Sequence, residues 1–330
     1  MNSSASMAVL GAGAWGTALA VLYADQGPVT LWCHSAAEAA RFSAARENTD
    51  YLPGIALPEN IRITHDAASL KTAEVILAAV PAQYLPGVLS NLKKYLPVTA
   101  PIVICAKGIH LETLSLLPDA AACVLPQHKI AVLSGPNLAP EIARGLPAAA
   151  TIAASNESLA QELAEALRTP GFRPYASTDM TGVALAGALK NVLALAAGMV
   201  IGASLGENAR AALITRGAAE IMRLGLKMGA RAETFMGLAG IGDIMLTCHA
   251  ATSRNFSCGF ALGQGKTLDE ILSARKSVTE GVTTVAPALV LAAKHNIELP
   301  ICQAVADVLD DKINVDAALA QLMSRPLKAE

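Results

Sequence analysis

A lysine in a strongly apolar segment is the clearest candidate for proton transfer in this 330-residue chain. Residues 182–189 are all apolar or glycine, and Lys190 and Asn191 follow them directly. Burial removes water from an ammonium group and lowers its pKa toward the range in which a lysine exchanges protons. The alternative is a lysine whose head group reaches solvent along a partly exposed helix. We favour the first interpretation and predict that Lys190 takes part in chemistry.

A glycine-rich turn near the amino terminus has the spacing that binds dinucleotides. Gly11, Gly13 and Gly16 follow a predicted strand at residues 8–10 and precede a helix predicted over residues 17–26. In such a unit the first glycine makes a tight turn, the second lets backbone approach a pyrophosphate, and the third lets helix and strand pack closely. N–H groups at the helix start then bind the pyrophosphate. The pattern predicts a nicotinamide dinucleotide; a glycine turn without a ligand is the alternative.

The end of the second predicted strand bears on which dinucleotide is bound. An NAD-selective site places Asp or Glu there to accept a hydrogen bond from the ribose 2′-hydroxyl, whereas this chain has Cys33, His34 and Ser35. No carboxylate stands there to repel a 2′-phosphate, and His34 and Arg41 lie nearby, so NADP(H) should bind at least as well as NAD(H). An exposed loop histidine explains His34 equally well. We predict a lower dissociation constant for NADPH than for NADH.

Three further polar groups could bind a substrate or support the lysine. Lys107 follows a predicted strand, at the sheet edge where ligands of open α/β folds bind; a strand-end lysine without a function is the alternative. Residues 237–242 form a glycine-rich turn that leads to the carboxylate of Asp243. Arg254, in the polar run 252–255, could hold two oxygens of a phosphate or carboxylate. A helix cap with a solvated arginine is the alternative there.

Several other chemistries lack support in the sequence. The six histidines show neither HxxxH nor HExxH spacing, so we predict no metal. Residues 202–206 have the Gly-x-Ser-x-Gly spacing, but they follow an apolar helical segment and not a predicted strand, so they do not support acyl transfer. The formal net charge is −2 and the basic residues are scattered, which argues against nucleic acid as a partner. The six cysteines include no CxxC pair, and no positively charged region precedes the first apolar run, so we expect a cytoplasmic protein.

The apolar periodicity indicates two kinds of domain. Up to about residue 155 short apolar runs alternate with helical stretches, which is typical of a parallel sheet covered by helices on both faces. After residue 178 the period becomes 3.6. We predict a Rossmann-type doubly wound α/β domain over residues 1–177 and an all-α substrate domain over residues 178–330, with a frayed end at 328–330. The predicted strands are residues 8–10, 29–32, 61–63, 75–80, 102–105 and 130–133.

One apolar segment is long enough to cross a membrane. Residues 181–205 have the necessary length, but Lys190 at the centre would cost about 3 kcal/mol in a bilayer. Four glycines also interrupt the segment. We expect a helix buried inside a soluble domain and no transmembrane segment.

Seven short segments, in the same order, resemble the bacterial type of NAD(P)-dependent glycerol-3-phosphate dehydrogenase across nearly the whole chain. They are residues 11–18, 79–83, 106–109, 134–139, 189–192, 240–243 and 253–255, and residues 278–281 are also similar. The resemblance implies reduction of dihydroxyacetone phosphate to sn-glycerol 3-phosphate, with NADP(H) or NAD(H) as cofactor. It further implies that the product supplies phospholipid synthesis.

The resemblance also implies roles for single residues. Lys190 would donate and accept the proton at C2, with Asp243 in hydrogen-bonding support. The substrate would contact Lys107, Gly135, Asn137, Lys190, Asp243, Ser253, Arg254 and Asn255, with its phosphate on Arg254 and Asn255. The cofactor would contact Gly11, Gly13, Ala14, Trp15, Gly16, His34, Lys107, Ala139, Arg254, Val278 and Glu280.

Two positions depart from the family's usual pattern. Ala14 stands where serine is common, but backbone N–H groups do most of the binding in such a turn. Asn137 stands where serine or threonine is common, which alters one substrate contact.

Two other functions stay open: a reductase of the same architecture that acts on a β-hydroxy or keto acid, and a nicotinamide-sensing module without turnover. The apolar character of the helical half also favours a homodimer. The partner that the resemblance implies is a small-molecule substrate.

Overall fold

The computed structural model describes residues 6–274 and 278–326. The chain forms two compact units, the first made of Met1–Lys107 with Leu116–Ala184 and the second of Gly108–Ser115 with Leu185–Glu330. The domain boundary at residue 177 stays a prediction, and the first unit extends a little beyond it, to Ala184. The expected fraying of residues 328–330 lies outside the described residues.

Ten strands occur within the described residues. They are β1 (Met7–Leu10), β2 (Val29–Trp32), β3 (Ile61–Thr64), β4 (Val75–Ala78), β5 (Ile102–Ile104), β6 (Ile109–His110), β7 (Ser115–Leu116), β8 (Ile130–Ser134), β9 (Ala148–Ala154) and β10 (Phe172–Ser177). Strands β6 and β7 pair with each other, and the other eight form one sheet in the order β10-β9-β8-β5-β4-β1-β2-β3. From β3 to β8 this is the strand order of a doubly wound dinucleotide-binding sheet, so the predicted fold is confirmed.

Two strands of the eight-stranded sheet were not predicted, nor were β6 and β7, and one pairing differs from the predicted parallel arrangement. Strand β9 pairs antiparallel with β8, and β10 pairs parallel with β9. The sequence of β9 is Ala-Ala-Ala-Thr-Ile-Ala-Ala, and alanine has a low preference for strands. Strand β10 contains Pro174, which is tolerated because β10 lies at the sheet edge, where one backbone donor is dispensable.

The α-helices are concentrated on the sheet in the first unit and make up most of the second. They are α1 (Ala14–Ala24), α2 (Ala36–Ala45), α3 (Leu85–Leu92), α4 (Leu117–Val124), α5 (Ala139–Ala143), α6 (Glu157–Ala166), α7 (Met180–Gly202), α8 (Glu207–Lys227), α9 (Ala232–Met236), α10 (Asp243–His249), α11 (Arg254–Gly263), α12 (Leu268–Ser273), α13 (Glu280–Lys294), α14 (Pro300–Leu309) and α15 (Val315–Met323). Short 3-10 helices lie at Ala67–Thr72, Ala82–Tyr84 and Lys93–Tyr95, and a π-helical turn lies at Leu238–Gly242. Helix α1 begins at Ala14, three residues before the predicted start at Thr17. Its first turn contains tryptophan and glycine, which are weak helix formers, so the sequence pattern does not indicate a helix there.

Helix α7 is long and apolar enough to cross a membrane by length and composition, but 94% of its most apolar window is buried in the protein. That burial is typical of a core helix. A bent pair of segments, Ala232–His249 with Arg254–Gly263, passes the same test only if it is counted as one span, with a 50° bend.

Glycines let α7 and α11 approach backbone to backbone in the second unit. A Cβ at Gly198 would lie 2.1 Å from the carbonyl oxygen of Phe256, and a Cβ at Gly259 would lie 1.9 Å from that of Leu195. Because real Cβ atoms do not come this close to backbone oxygens, only glycine fits at both positions. The segment that carries Lys190 is therefore held in a rigid, closely packed helix pair.

Candidate active site

The glycine turn has the geometry that its spacing predicts. Gly11 follows β1 with a φ of +100°, and a Cβ there would meet Val80 at 2.9 Å. A Cβ at Gly16, in the first turn of α1, would lie 1.9 Å from the carbonyl oxygen of Gly11. Gly11 and Gly16 are thus required by the turn and by its packing against the helix.

Gly13 provides the test of whether a dinucleotide fits. It caps α1 in an extended conformation, with φ −72° and ψ −178°, which any residue can adopt. A Cβ at Gly13 would have no atom of the described protein within 4 Å. Neither conformation nor packing requires glycine here, whereas a pyrophosphate lying against the backbone does. The residues present therefore fit the predicted cofactor.

The carboxyl end of β2 presents His34 to solvent, and Ser35 caps α2 by accepting a hydrogen bond from the Glu38 N–H at 3.3 Å. The His34 ring stands edge-on to Trp32, with 6.4 Å between ring centroids. Arg41 is paired with Asp50, 2.6 Å from Nη2 to Oδ2. Part of the positive charge expected near a 2′-phosphate is therefore already balanced by a carboxylate.

The first unit also brings together two of the predicted substrate residues. The Lys107 Nζ donates a hydrogen bond to the Gly135 carbonyl oxygen at 3.2 Å. A Cβ at Gly135, just after β8, would lie 2.8 Å from the Ala150 Cα in β9, so the antiparallel pairing requires glycine there. The Oδ1 of Asn137 is buried and accepts no hydrogen bond from the described residues. Such an acceptor is costly unless a ligand or water satisfies it.

A buried cluster of three polar side chains lies in the second unit. The Lys190 Nζ donates hydrogen bonds to Asp243 Oδ1 at 2.5 Å and to Thr247 Oγ1 at 2.7 Å, and Thr247 Oγ1 lies 3.2 Å from Asp243 Oδ1. Lys190 is 7% exposed and Asp243 is 0% exposed. The carboxylate balances the ammonium charge in a place that water hardly reaches. The structure therefore brings together the two residues predicted to act in proton transfer.

The backbone before α10 determines where Asp243 lies. The π-helical turn at Leu238–Gly242 contains Gly240, whose backbone is bent to φ −96° and ψ −105°. A Cβ at Gly240 would lie 2.1 Å from the Phe235 carbonyl oxygen. Asp243 is the first residue of α10, where the helix dipole favours a carboxylate. Thr247 was not predicted, although its spacing of four residues from Asp243 places both on one helix face.

The predicted anion-binding residues lie at the start of α11. Ser253 caps the helix, its Oγ accepting a hydrogen bond from the Phe256 N–H at 3.3 Å. Arg254 is exposed, and its Nη1 donates to the Val278 carbonyl oxygen at 3.1 Å. Arg254 is the first residue of α11, so an exposed guanidinium group and a helix N-terminus, each of which suits a phosphate, belong to the same segment. The Ser253 hydroxyl therefore caps the helix, which is the alternative role considered for this segment from the sequence.

Asn255, predicted to contact the substrate phosphate, also makes hydrogen bonds within the protein. Its Nδ2 donates to Asn191 Oδ1 at 2.9 Å, and its Oδ1 accepts the Gly281 N–H at 2.9 Å. Asn255 is 8% exposed, so this amide links α7, α11 and the start of α13. Glu280, predicted to contact the cofactor, is the first residue of α13.

Over residues 6–274 and 278–326, no three His, Cys, Asp or Glu side chains are grouped so as to hold a metal ion.

Comparisons with known proteins point to one family. The family model for the NAD-dependent glycerol-3-phosphate dehydrogenase N-terminus matches residues 6–160, and the model for the C-terminus matches residues 179–320. Glycerol-3-phosphate dehydrogenase (NAD(P)+) of Parvibaculum lavamentivorans is 50% identical over 325 residues, 98% of each chain. The enzyme of the same name from Rhodospirillum rubrum is 50% identical over 326 residues, 98% of this chain and 93% of that one.

A solved structure gives the same result for the fold. The crystal structure of glycerol-3-phosphate dehydrogenase from Coxiella burnetii matches with a TM-score of 0.94 and 38% identity, over 98% of this chain and 100% of that one. Since both family models and full-length relatives match in sequence as well as in fold, the chain belongs to the NAD-dependent glycerol-3-phosphate dehydrogenase family.

Proposed function

We propose that this chain catalyses the reversible NAD(P)H-dependent reduction of dihydroxyacetone phosphate to sn-glycerol 3-phosphate. The observation that carries the proposal is the buried cluster of Lys190, Asp243 and Thr247. Its geometry is that of an oriented proton donor rather than of a surface lysine. Family membership adds the substrate, because the relatives carry the name glycerol-3-phosphate dehydrogenase.

Reduction of a ketone needs a hydride at carbon and a proton at oxygen. A reduced nicotinamide, when bound, would supply the hydride. Lys190 supplies the proton to the C2 oxygen, and in the reverse direction takes it back. Asp243 and Thr247 hold Nζ in one position, so that little reorganisation is needed when charge develops on the substrate oxygen.

The phosphate of the substrate is bound at the start of α11. Arg254 provides a planar, permanently charged group, and the first N–H groups of the helix point in the direction favourable to anions. Ser253 and Asn255 complete that contact. Lys107, Gly135 and Asn137 bind the remainder of the substrate, and the buried Oδ1 of Asn137 supports a contact with a substrate hydroxyl group.

Gly11, Gly13, Ala14, Trp15 and Gly16 bind the dinucleotide. His34, Lys107, Ala139, Arg254, Val278 and Glu280 complete the cofactor contacts. The absence of an acidic residue among Cys33, His34 and Ser35 favours NADPH, although the ion pair of Arg41 with Asp50 reduces the charge available to a 2′-phosphate.

Cofactor preference is a first prediction. The dissociation constant of the purified protein should be lower for NADPH than for NADH, measured by quenching of protein fluorescence at constant ionic strength. His34→Glu places a carboxylate where the 2′-phosphate is expected and should reverse the order. A tenfold preference of the unmodified protein for NADH would contradict this.

We propose that the protein works in the cytoplasm as a homodimer and that its product supplies glycerophospholipid synthesis. The apolar character of its helical half supports self-association. Size-exclusion chromatography with light scattering measures the assembly directly, and a monomer at micromolar concentration would exclude the dimer.

The proposed reaction is tested by following the absorbance of NADPH or NADH with a panel of substrates. We expect oxidation with dihydroxyacetone phosphate and none with pyruvate-like keto acids of similar size. Turnover of a keto acid without turnover of dihydroxyacetone phosphate would assign the chain to a different reductase. Cofactor binding without turnover of any substrate would favour a sensing module.

A further inference from the structure

Asn48 lies outside the glycine motif but holds it in place. The residue follows α2, is 0% exposed and uses both ends of its side chain. Its Nδ2 donates to the Ala12 carbonyl oxygen at 2.8 Å and to Thr17 Oγ1 at 2.7 Å, and its Oδ1 accepts the Tyr51 N–H at 3.2 Å. An asparagine amide has two donor hydrogens, and here both point at the glycine turn and its helix.

The contact with Ala12 determines the direction of a neighbouring N–H group. A carbonyl oxygen can only accept, so the amide nitrogen of Asn48 must face Ala12. The peptide unit between Ala12 and Gly13 is trans and planar, which makes the Ala12 oxygen and the Gly13 N–H point in opposite directions. Because the oxygen is held inward by Asn48, the Gly13 N–H is directed outward, beside the space left by the missing side chain of Gly13.

The segment that carries Asn48 is itself firmly anchored. Arg46 donates to the carbonyl oxygens of Leu57 and Ile61, each at 3.2 Å, and also to that of Pro58. The Leu57 N–H returns a hydrogen bond to the Arg46 carbonyl oxygen at 2.8 Å. Because the chain next to Asn48 is fixed in this way and Asn48 itself is fully buried, its amide can impose an orientation on the turn instead of following it.

We propose that Asn48 is a positioning residue for the cofactor: it orients the Ala12–Gly13 peptide so that the Gly13 N–H meets the pyrophosphate. The inference rests on the dinucleotide site of the proposed function. It assigns to Asn48 an effect on cofactor affinity alone, because the residue acts through the turn and not through Lys190 or the substrate. Asn48 is therefore distinct from residues that touch the ligand.

Asn48→Ala tests the proposal in the full-length protein. We expect the dissociation constants of NADPH and of ADP-ribose, which keeps the pyrophosphate but lacks nicotinamide, to rise together by about tenfold or more. The kcat at saturating NADPH and the KM for dihydroxyacetone phosphate should stay within about twofold of the unmodified values. A general loss of structure would change kcat and the KM for dihydroxyacetone phosphate as well as the two dissociation constants. A change in the dissociation constants alone therefore indicates that Asn48 positions the cofactor site.

Asn60→Ala is the matched control. The Asn60 Nδ2 donates to the carbonyl oxygens of Ala24 and Gly27, at the opposite end of α1 from the glycine turn. The variant removes the same kind of side-chain contact to the same helix, so it should lower the melting temperature without changing the dissociation constant of ADP-ribose.

Asn48→Asp adds a readout that a purely structural role would not give. An ionised carboxylate at this position would set oxygens against the Ala12 carbonyl, whereas a protonated carboxyl group can donate a hydrogen bond to it. Affinity of this variant for ADP-ribose should therefore recover as the pH falls from 8 to about 5.5, relative to the unmodified protein. The same measurement applies if Asn48→Ala fails to fold.

Three results would overturn the inference. They are an affinity of Asn48→Ala for ADP-ribose within twofold of the unmodified protein, a pH profile of Asn48→Asp parallel to that of the unmodified protein, or failure of both variants to fold at every pH. Failure of the unmodified protein to bind NADPH and ADP-ribose would instead refute the proposed function.

Discussion

At the scale of single residues, Lys190 and Asp243 depend on each other. An isolated charge buried to this degree would cost several kcal/mol, and the cost is offset only where an opposite charge and hydrogen bonds are present. Thr247 adds a neutral hydrogen bond to the same Nζ atom. The position of Nζ is therefore determined by two side chains on one face of α10.

Asp243→Asn should impair turnover much more than cofactor binding. The amide keeps the shape of the carboxylate but leaves the ammonium of Lys190 without a counter-charge and changes the orientation of Nζ. We expect kcat with dihydroxyacetone phosphate to fall by about 100-fold, with the dissociation constant of NADPH unchanged. Thr247→Val, which leaves the ion pair in place, is the control and should lose about tenfold. A kcat of Asp243→Asn within threefold of the unmodified protein would contradict this role.

Residues differ in how far the sequence reveals them. Lys190 could be predicted because a charge within an apolar run is visible without a structure, and Gly13 because its spacing is. Thr247 carried only the weak signal of its spacing from Asp243. Asn48 could not be predicted, because its contacts with Thr17 and Ala12 join residues 31 and 36 positions apart, and a lone asparagine in a loop has no distinguishing pattern.

At the scale of elements, the approach of α7 and α11 depends on glycine. Gly259→Ala should lower the melting temperature strongly, because its Cβ would overlap the Leu195 carbonyl oxygen and relief requires the helices to separate, at about 1–3 kcal/mol or more. Gly87→Ala in α3 is the matched control, since its Cβ meets nothing within 4 Å and alanine is the better helix former by about 1 kcal/mol. Thermal unfolding followed by circular dichroism measures both; equal melting temperatures for the two variants would contradict the packing described.

The junction of α8 with α14 should make stability depend on pH. Glu220 is 4% exposed, and its carboxylate accepts the Ile301 N–H at 3.1 Å at the start of α14. Burial raises the pKa of Glu220 from 4.5 to about 7, against the smaller lowering effects of the Ile301 hydrogen bond and the Arg223 charge. Between pH 4.5 and about 7, the Glu220 carboxyl group of the folded protein keeps a proton that the same group has released in the unfolded chain.

Stability from this group is therefore fully present below about pH 4.5 and decreases as the pH rises through 7. The loss is about 3 kcal/mol when a pKa difference of this size is converted into free energy. Glu220→Gln should flatten the change in urea midpoint between pH 5 and 8 relative to the unmodified protein. Identical pH profiles for the two proteins would show that Glu220 does not titrate in this range.

Elements were predicted well where their composition was distinctive. The six strands from β1 to β8 that belong to the large sheet are rich in Val, Ile and Leu, and all were predicted. Strand β9 was missed because alanine carries no strand preference and β10 because it contains proline. The start of α1 was misplaced because Gly16 belongs to the first helical turn, where its close approach to Gly11 outweighs its low helix preference.

At the scale of the whole molecule, the chain reaches close packing with small side chains. Apolar residues make up 53% of the chain and aromatic residues only 4%, and the buried side chains are mostly Ala, Leu, Val and Ile rather than aromatic rings. This composition allows backbones to approach closely, and that approach positions both the glycine turn in the first unit and the segment bearing Lys190 in the second.

The division into units could be predicted only approximately. The change to a helical period begins at about residue 178, but α7 runs without a break from Met180 to Gly202 and the first unit ends within it, at Ala184. Residues 108–115 leave the first unit and return to it, which no composition shift indicates. Sequence periodicity detects the type of element, whereas unit membership depends on contacts distant along the chain.

The proposed function requires Lys190 to supply the proton in the reduction of dihydroxyacetone phosphate. The most direct measurement compares the unmodified protein with Lys190→Ala for NADPH oxidation driven by dihydroxyacetone phosphate, with NADPH affinity and melting temperature recorded on the same samples. We predict turnover by the unmodified protein and a loss of at least about 100-fold in kcat for the variant, with an unchanged dissociation constant for NADPH. Equal turnover by the two folded proteins would contradict this role of Lys190.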